Sequence, residues 1–209
     1  MAKYPRYQDY VIKDGQLVGE FEQMYQDYED PWEQSKYEYD ATDKAICLNF
    51  IRKLNVSSVL EFGCGLGQLT SEIAKVAPRS LGVDVSETAV KKAKQRHPEC
   101  NFAVSTFPDL TLISTFRPDC IVMAELTWYV LDYLNEFTEF IRSELPDTYL
   151  LHFLTTYPEG TQKYGLEKFS NLDELKSYFG MNYLESGEIY PSGHGGIKRT
   201  YFVGRYAKT

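Results

Sequence analysis

Short, nearly continuous apolar runs recur along the chain, at Ser57 to Phe62, Arg79 to Val85, Cys100 to Val104, Pro118 to Ala124 and Thr148 to Leu154. Each has the length of a strand, and the run from Pro118 to Ala124 has the unbroken apolarity of one covered on both faces. Amphipathic stretches separate them. Leu66 to Val76 predicts a helix stopped by Pro78, Ser86 caps another that ends before Pro98, and Tyr133 to Leu145 predicts a third. Asn171 and Glu174 have the spacing of a capping box for a helix ending at Gly180. Upstream, Ser35 and Glu38 have the same spacing and open a helix to about Leu54. Its buried stripe is Thr42, Ile46, Phe50 and Leu54, with Cys47 and Ile51 beside it.

Beyond Gly180 the rhythm changes. Asn182 to Tyr190 and Arg199 to Tyr206 read as two strands joined by the glycine-rich segment Pro191-Ser192-Gly193-His194-Gly195-Gly196. Alternating units followed by a strand pair predict an α/β fold. Its sheet is doubly wound, seven-stranded and mostly parallel, with a C-terminal antiparallel strand. Residues 1–34 are rich in Tyr, Asp, Glu and Gln, broken by Gly15, Gly19 and Pro31, with a short helix from about Glu20 to Tyr28. The expected organisation is an N-terminal helical arm or lid over 1–34 and a single domain over 35–209.

Composition narrows the class. Twenty-two basic against 30 acidic side chains give a net charge of −8, which argues against nucleic acid or an anionic membrane as partner. There is no basic-then-apolar leader and no apolar run of bilayer length, so a cytoplasmic protein is expected. Cys47, Cys64, Cys100 and Cys120 form no C-x-x-C pair and predict thiols in a reducing compartment. The three histidines, at 97, 152 and 194, are too dispersed to suggest a metal ligand set. Aromatic content of 15%, with 17 tyrosines, suits a partly wet binding face as well as a core.

The chemistry concentrates at Glu61-Phe62-Gly63-Cys64-Gly65-Leu66-Gly67, where a strand ends in an acid and turns through three glycines into a helix. Gly63 and Gly65 leave room for close ligand approach, while Gly67 serves mainly helix-to-sheet packing. The next strand carries Asp84 near its end, followed by Val85, and a carboxylate there suits a ribose diol. The glycine spacing is one residue shorter than the G-x-G-x-x-G of a dinucleotide fold. Glu61 beside the turn would also repel phosphates. Both features point to a ligand carrying an ammonium and a sulfonium.

Glu61 to Gly67 resembles the first motif of class I S-adenosylmethionine-dependent methyltransferases, and Gly82-Val83-Asp84-Val85-Ser86 resembles their second. Pro118 to Glu125 is similar to their fourth-strand motif, and Leu126-Thr127-Trp128-Tyr129-Val130 to the loop bordering the active site. A looser similarity, carried by Asp30-Pro31-Trp32 and Tyr37-Glu38, is to the NodS-like branch, which includes a nodulation N-methyltransferase acting on chitooligosaccharides. The resemblance implies a Rossmann-like sheet and S-adenosyl-L-methionine as cofactor. Gly63 and Gly65 would lie against its methionine part, Glu61 near its ammonium group, and Asp84 on its ribose. Where many relatives place an acid beside the adenine, this chain has Ser105-Thr106-Phe107. Thr106 would take that contact and Phe107 would either stack on the purine or belong to the core.

On the acceptor side, Glu125 ends the fourth strand and would orient the methionine end or the acceptor, or serve as a cap. Trp128 and Tyr129 either wall a methyl-transfer channel or pack in the core. Trp32 and Tyr28 either close over the cofactor or pack as the apolar face of a short helix. His152, inside the fifth strand, is a core histidine or a base, and His194 in the glycine-rich loop is placed for the acceptor mouth. The loop from Thr155 to Ser170, with Tyr157 and Tyr164, follows a strand and falls on the substrate side or serves as a connector. The expected activity is methyl transfer to a small-molecule acceptor, to nitrogen such as a sugar-like amine before oxygen, by a monomer or homodimer. A non-catalytic S-adenosylmethionine-binding partner protein is the alternative from another class.

Overall fold

In the computed structural model, which describes residues 2–34, 41–191 and 196–206, strands β1 (Ile12–Lys13) and β2 (Gln16–Leu17) form a small hairpin. Helices α1 (Phe21–Asp27) and α2 (Ala41–Lys53) follow, then β3 (Ser58–Phe62), α3 (Gln68–Ala74), β4 (Arg79–Asp84), α4 (Glu87–Arg96) and β5 (Phe102–Val104). Next come α5 (Leu110–Phe116), β6 (Cys120–Ala124), α6 (Leu134–Glu144), β7 (Tyr149–Thr156), α7 (Leu172–Phe179), β8 (Asn182–Ile189) and β9 (Lys198–Arg205). Strands β3 to β9 form a seven-stranded sheet in the order β5-β4-β3-β6-β7-β9-β8. Strand β3 pairs in parallel with β4, β4 with β5 and β6 with β7, whereas β9 runs antiparallel to both β7 and β8. This is the Rossmann-like, mostly parallel sheet that the alternating pattern predicts.

The chain divides into two compact units, Met1–Phe107 and Pro108–Thr209. In the first, every residue of β3 is buried, and Val59, Leu60, Phe62, Ile73 and Val83 build the core. The buried stripe of α2 is Cys47, Phe50 and Ile51; Thr42 is exposed, and Ile46 and Leu54 are half-buried, so the apolar face lies one residue round from the expected one. The proposed cap at Ser35 and Glu38, with Tyr37, lies outside the described residues. Helix α3 starts two residues later than predicted because Gly65 and Gly67 both hold left-handed backbone, at φ +54° and +80°. A Cβ on Gly67 would run into the ring of Phe102, which packs with Cys64, Val90 and Ala93. Gly67 therefore serves helix-to-sheet packing.

The described part of the arm is docked within this unit. Glu22 accepts hydrogen bonds from the Ser86 hydroxyl (2.6 Å), the Thr88 hydroxyl (2.6 Å) and the Thr88 amide (3.1 Å), and so caps α4 from far upstream. Ser86 in turn accepts from the Ala89 amide as predicted (3.0 Å). Burial works to raise the Glu22 pKa, but these bonds outweigh it and hold the group at about 2. Lys92 donates to the carbonyls of Tyr25 and Tyr28 at 2.8 and 2.9 Å.

In the second unit, β6 and β7 are almost wholly buried, and Phe137, Ile141, Leu175, Phe179, Phe202 and Val203 pack around them. Strand β7 runs two residues past its expected end because β9 pairs with it as far as Thr156. Helix α5, which the sequence pattern did not mark, is opened by Asp109, whose side chain accepts from the Leu112 amide (2.8 Å). Asn171 caps α7 by accepting from the Glu174 amide (3.0 Å). Glu174 reaches back to the amide and hydroxyl of Ser170 rather than to Asn171, which shifts the reciprocal half of the box by one residue. The four cysteines are free thiols, and Cys47, Cys64 and Cys120 are buried. Among the described residues no helix is long and apolar enough to cross a membrane, and no cluster of His, Cys, Asp and Glu is arranged to hold a metal.

Candidate functional site

The glycine turn after β3 is built so that its backbone donors are already in use. Gly63 and Cys64 donate to the Val83 carbonyl at 2.8 and 3.0 Å, and Gly67 donates to the Cys64 carbonyl at 2.9 Å. The Gly65 amide goes to Asp84 Oδ2 (2.9 Å) and the Leu66 amide to Gln34 Oε1 (3.0 Å). A phosphate cradle needs free amides aimed outward. All five here are committed within the chain, and two of them bond to side-chain oxygens of Asp84 and Gln34.

The charges in this turn are negative and buried. Glu61 is 4% exposed and accepts from the Thr70 hydroxyl at 2.5 Å. Burial, aided by the nearby Asp84, lifts its pKa to about 7 against the lowering effects of Thr70 and Lys44. Asp84 is 8% exposed, and burial raises its pKa against the hydrogen bonds from the backbone amides of Ser86, Gly65 and Val85. Its Oδ1 accepts from Ser86 (3.0 Å) and its Oδ2 from Gly65. A carboxylate has about four lone-pair sites, and three backbone amides occupy Asp84, so one site remains. Asp84 can thus brace the loop and accept from a ribose hydroxyl together. Two buried carboxylates whose ionisation is opposed by burial are offset best by a cationic ligand.

The arm supplies the cover over Gly65. A Cβ at this position would lie 2.7 Å from the Tyr25 hydroxyl and 2.9 Å from Gln34 Oε1. Tyr25 is buried, and Trp32 hydrogen-bonds its hydroxyl. Trp32 also packs edge-on against Tyr7, with centroids 5.0 Å apart. Tyr28 is turned the other way, its hydroxyl on the Tyr4 carbonyl (2.9 Å), which makes it a packing residue of the arm. Val85 is 51% exposed at the end of β4, Thr106 is exposed, and Phe107 is half-buried with its ring edge-on to Phe62 at 5.2 Å. The residues present fit S-adenosylmethionine. The amides of the turn are committed, Glu61 and Asp84 are buried beside it, Asp84 has spare acceptor capacity, and Val85 and Thr106 offer apolar and polar surface.

In the second unit the residues after β6 are pinned by β7. Glu125 is exposed, with a left-handed backbone at φ +57°, and its carboxylate accepts from the amide (2.9 Å) and hydroxyl (3.0 Å) of Thr155. Trp128 is 5% exposed, donates its indole N–H to the Thr155 carbonyl (2.8 Å) and packs on Phe169. Tyr129 is half-buried beside it. His152 is fully buried, stacked on Phe202 at 4.7 Å and tilted against Phe179 at 5.2 Å. Its Nε2 pairs with the Thr127 hydroxyl (2.6 Å), its Nδ1 has no hydrogen-bond partner, and burial lowers its pKa to about 3. Of the two roles open to His152, this sealed, neutral setting is that of a core histidine rather than a base. His194 lies outside the described residues.

Sequence reasoning missed Glu22, Tyr25, Gln34, Thr70 and Thr155. Each acts across a long stretch of sequence, and Thr70 alone carried a local hint, since it lies on the helix that the glycine turn opens.

The sequence profile of the family described as Nodulation protein S (NodS) matches residues 19–145. The Nodulation protein S of Sinorhizobium fredii (strain NBRC 101917 / NGR234) is 28% identical over 107 residues, and the match spans about half of each chain, 50% of this one and 49% of that relative. Among solved structures, the N-methyltransferase NodS from Bradyrhizobium japonicum WM9 in complex with S-adenosyl-L-homocysteine is similar at TM-score 0.68 and 17% identity, over 87% of this chain and 94% of that one. An S-adenosylmethionine-dependent methyltransferase from Clostridium acetobutylicum ATCC 824 is similar at TM-score 0.61 and 11% identity, over 86% and 96%. At these identities the structural likeness speaks to the fold.

Proposed function

The chain belongs to the NodS family, and we propose that it transfers a methyl group from S-adenosylmethionine to the amino group of a small, sugar-like acceptor. One observation carries the cofactor half of this reading. The loop that would hold a pyrophosphate in a dinucleotide enzyme has all five of its amides occupied, and it closes over the buried acids Glu61 and Asp84. The relative solved with S-adenosyl-L-homocysteine supports it.

Bound there, the cofactor supplies a methyl carbon activated by its sulfonium. In the first unit, Asp84 would accept from a ribose hydroxyl while keeping its bonds to Gly65, Val85 and Ser86. Glu61, deprotonated by the arrival of a cation, would balance the ammonium end. Tyr25, Gln34 and Trp32 would exclude water from the Gly65 side. Val85, Thr106 and Phe107 would border the adenine.

In the second unit, Glu125 presents a fixed, exposed carboxylate suited to accept an N–H from an acceptor amine. An amine gives up its proton to solvent before it attacks, so the site needs alignment more than a strong base. That fits a unit in which His152 is neutral and sealed. Exposed rings supply the sugar-like part of the proposal. Thr156 pairs with Lys198 and Ile189 with Arg199, so Tyr157 and Tyr190, 42% and 66% exposed, follow at the same end of the sheet. Aromatic faces of this kind stack against the apolar faces of sugar rings. The test is transfer of radiolabelled methyl to glucosamine oligomers with free amines, beside their N-acetylated counterparts. Label on the free amine alone is expected. Equal label on the N-acetylated sugars would indicate oxygen as the acceptor atom.

A further inference from the structure

The segment that follows β6 departs from ordinary ladder geometry in one place. Strands β6 and β7 pair in parallel register up to Ala124 and Phe153, and the Glu125 amide continues the ladder by donating to the Phe153 carbonyl at 2.9 Å. In a regular parallel ladder the Thr155 amide would next donate to the carbonyl of Glu125. Here Glu125 adopts left-handed backbone, and its side-chain carboxylate takes that amide instead, with the Thr155 hydroxyl as a second donor. A non-glycine residue in this region is strained and persists where its surroundings over-determine it. The remaining polar group of Thr155, its carbonyl, accepts from the Trp128 indole. All three polar groups of one residue are thus spent on the post-β6 segment.

We propose that Thr155 is a positioning residue for methyl transfer: its hydroxyl and amide hold the Glu125 carboxylate in one orientation, while its carbonyl fixes Trp128 in the same rigid group. The proposal rests on reading Glu125 as the group that orients the acceptor. A monodentate carboxylate on an exposed loop end would sample several rotamers. The two-point bond from Thr155 selects one, and alignment of this kind governs turnover rather than cofactor affinity.

Thr155→Val deletes the hydroxyl while preserving shape and both backbone contacts, and Thr155→Ser keeps the hydroxyl. With a free-amine glucosamine tetramer as acceptor, T155V is expected to lower kcat about tenfold. The KM for S-adenosylmethionine, the affinity for S-adenosylhomocysteine and the Tm should stay near wild type, and T155S should restore kcat to within about twofold. Unchanged turnover in T155V would overturn the proposal, as would a loss in T155S as large as in T155V. If the wild type binds S-adenosylhomocysteine but methylates neither amine nor hydroxyl sugars, the acceptor reading fails and the positioning role that rests on it is overturned with it, an outcome distinct from an active wild type matched by T155V. Thr155→Ala, which also deletes the hydroxyl and keeps the backbone amide and carbonyl, should reproduce the T155V behaviour and stands in for it should T155V lose its fold.

Discussion

Glu61→Gln isolates the cost of the buried acid beneath the glycine turn. In the unfolded chain this carboxyl loses its proton near 4.5, whereas in the folded protein burial and the nearby Asp84 hold it to about 7. Between those values the folded state binds more protons, so stability falls as pH rises through this window and the full penalty is present above it. A shift of this size corresponds to about 3 kcal/mol. Glutamine keeps an acceptor for the Thr70 hydroxyl and has no charge to bury. Asp84, His152 and Glu22 titrate in both proteins and largely cancel in the comparison. Below about pH 4.5 the two should melt together. Above about pH 7.5 the variant should be the more stable by up to about 3 kcal/mol, or about 6–12 °C for a chain of this length. Thermal melts followed by circular dichroism across this range, without ligand, provide the test. A difference that does not change with pH would refute the reasoning. So would a wild type more stable than the variant at pH 8, which would mean that Lys44 or another cation already satisfies the ionised group.

Three further outcomes follow from the geometry. Asp84→Asn turns one acceptor into a donor facing a backbone amide, at Gly65 or Ser86. It should cost about 1–3 kcal/mol in a denaturant melt and weaken S-adenosylhomocysteine binding by calorimetry; unchanged affinity would remove the ribose role. Gly65→Ala places a methyl group against the Tyr25 hydroxyl and Gln34 on left-handed backbone. It should lower stability by about 1–3 kcal/mol, with partial recovery when Tyr25→Phe is added; no recovery would show that the strain lies elsewhere. His152→Ala empties a fully buried position between Phe179 and Phe202 and should cost about 2–4 kcal/mol in a urea melt. Its folded pKa near 3 lies below the unfolded 6.5, so its stability contribution is present above pH 6.5 and lost as pH falls towards 3. A variant that melts like wild type but loses turnover would restore the base role.

The parallel strands were legible because burial on both faces writes near-continuous apolar runs into sequence, as in Cys120 to Ala124. Local caps were legible because Ser86 and Asn171 act within three residues of themselves. The hairpin at Ile12 to Leu17 carried its own signal in Asp14-Gly15, both at positive φ, but a lone glycine breaker and a two-residue turn look alike without strands long enough to flank them. Helix α5 spans only seven residues, Leu110–Phe116, and its apolar positions Leu110, Leu112, Ile113 and Phe116 cover too short a window to set a helical period. The site divides along the same line. Gly65 and Asp84 stand in a local motif. Tyr25 and Gln34 reach the glycine turn from the arm, Glu22 reaches Ser86 and Thr88 at the start of α4, and Thr155 reaches Glu125 across 30 residues, through contacts that no sequence period encodes.

We propose that the turn after β3 receives an S-adenosyl compound and rejects a dinucleotide. Calorimetric titration of the full chain with S-adenosylmethionine, S-adenosylhomocysteine and NAD decides between the two. Saturable binding of both sulfur compounds, with no heat from NAD, is the predicted result. Binding of NAD, or failure of either sulfur compound to bind, would contradict it.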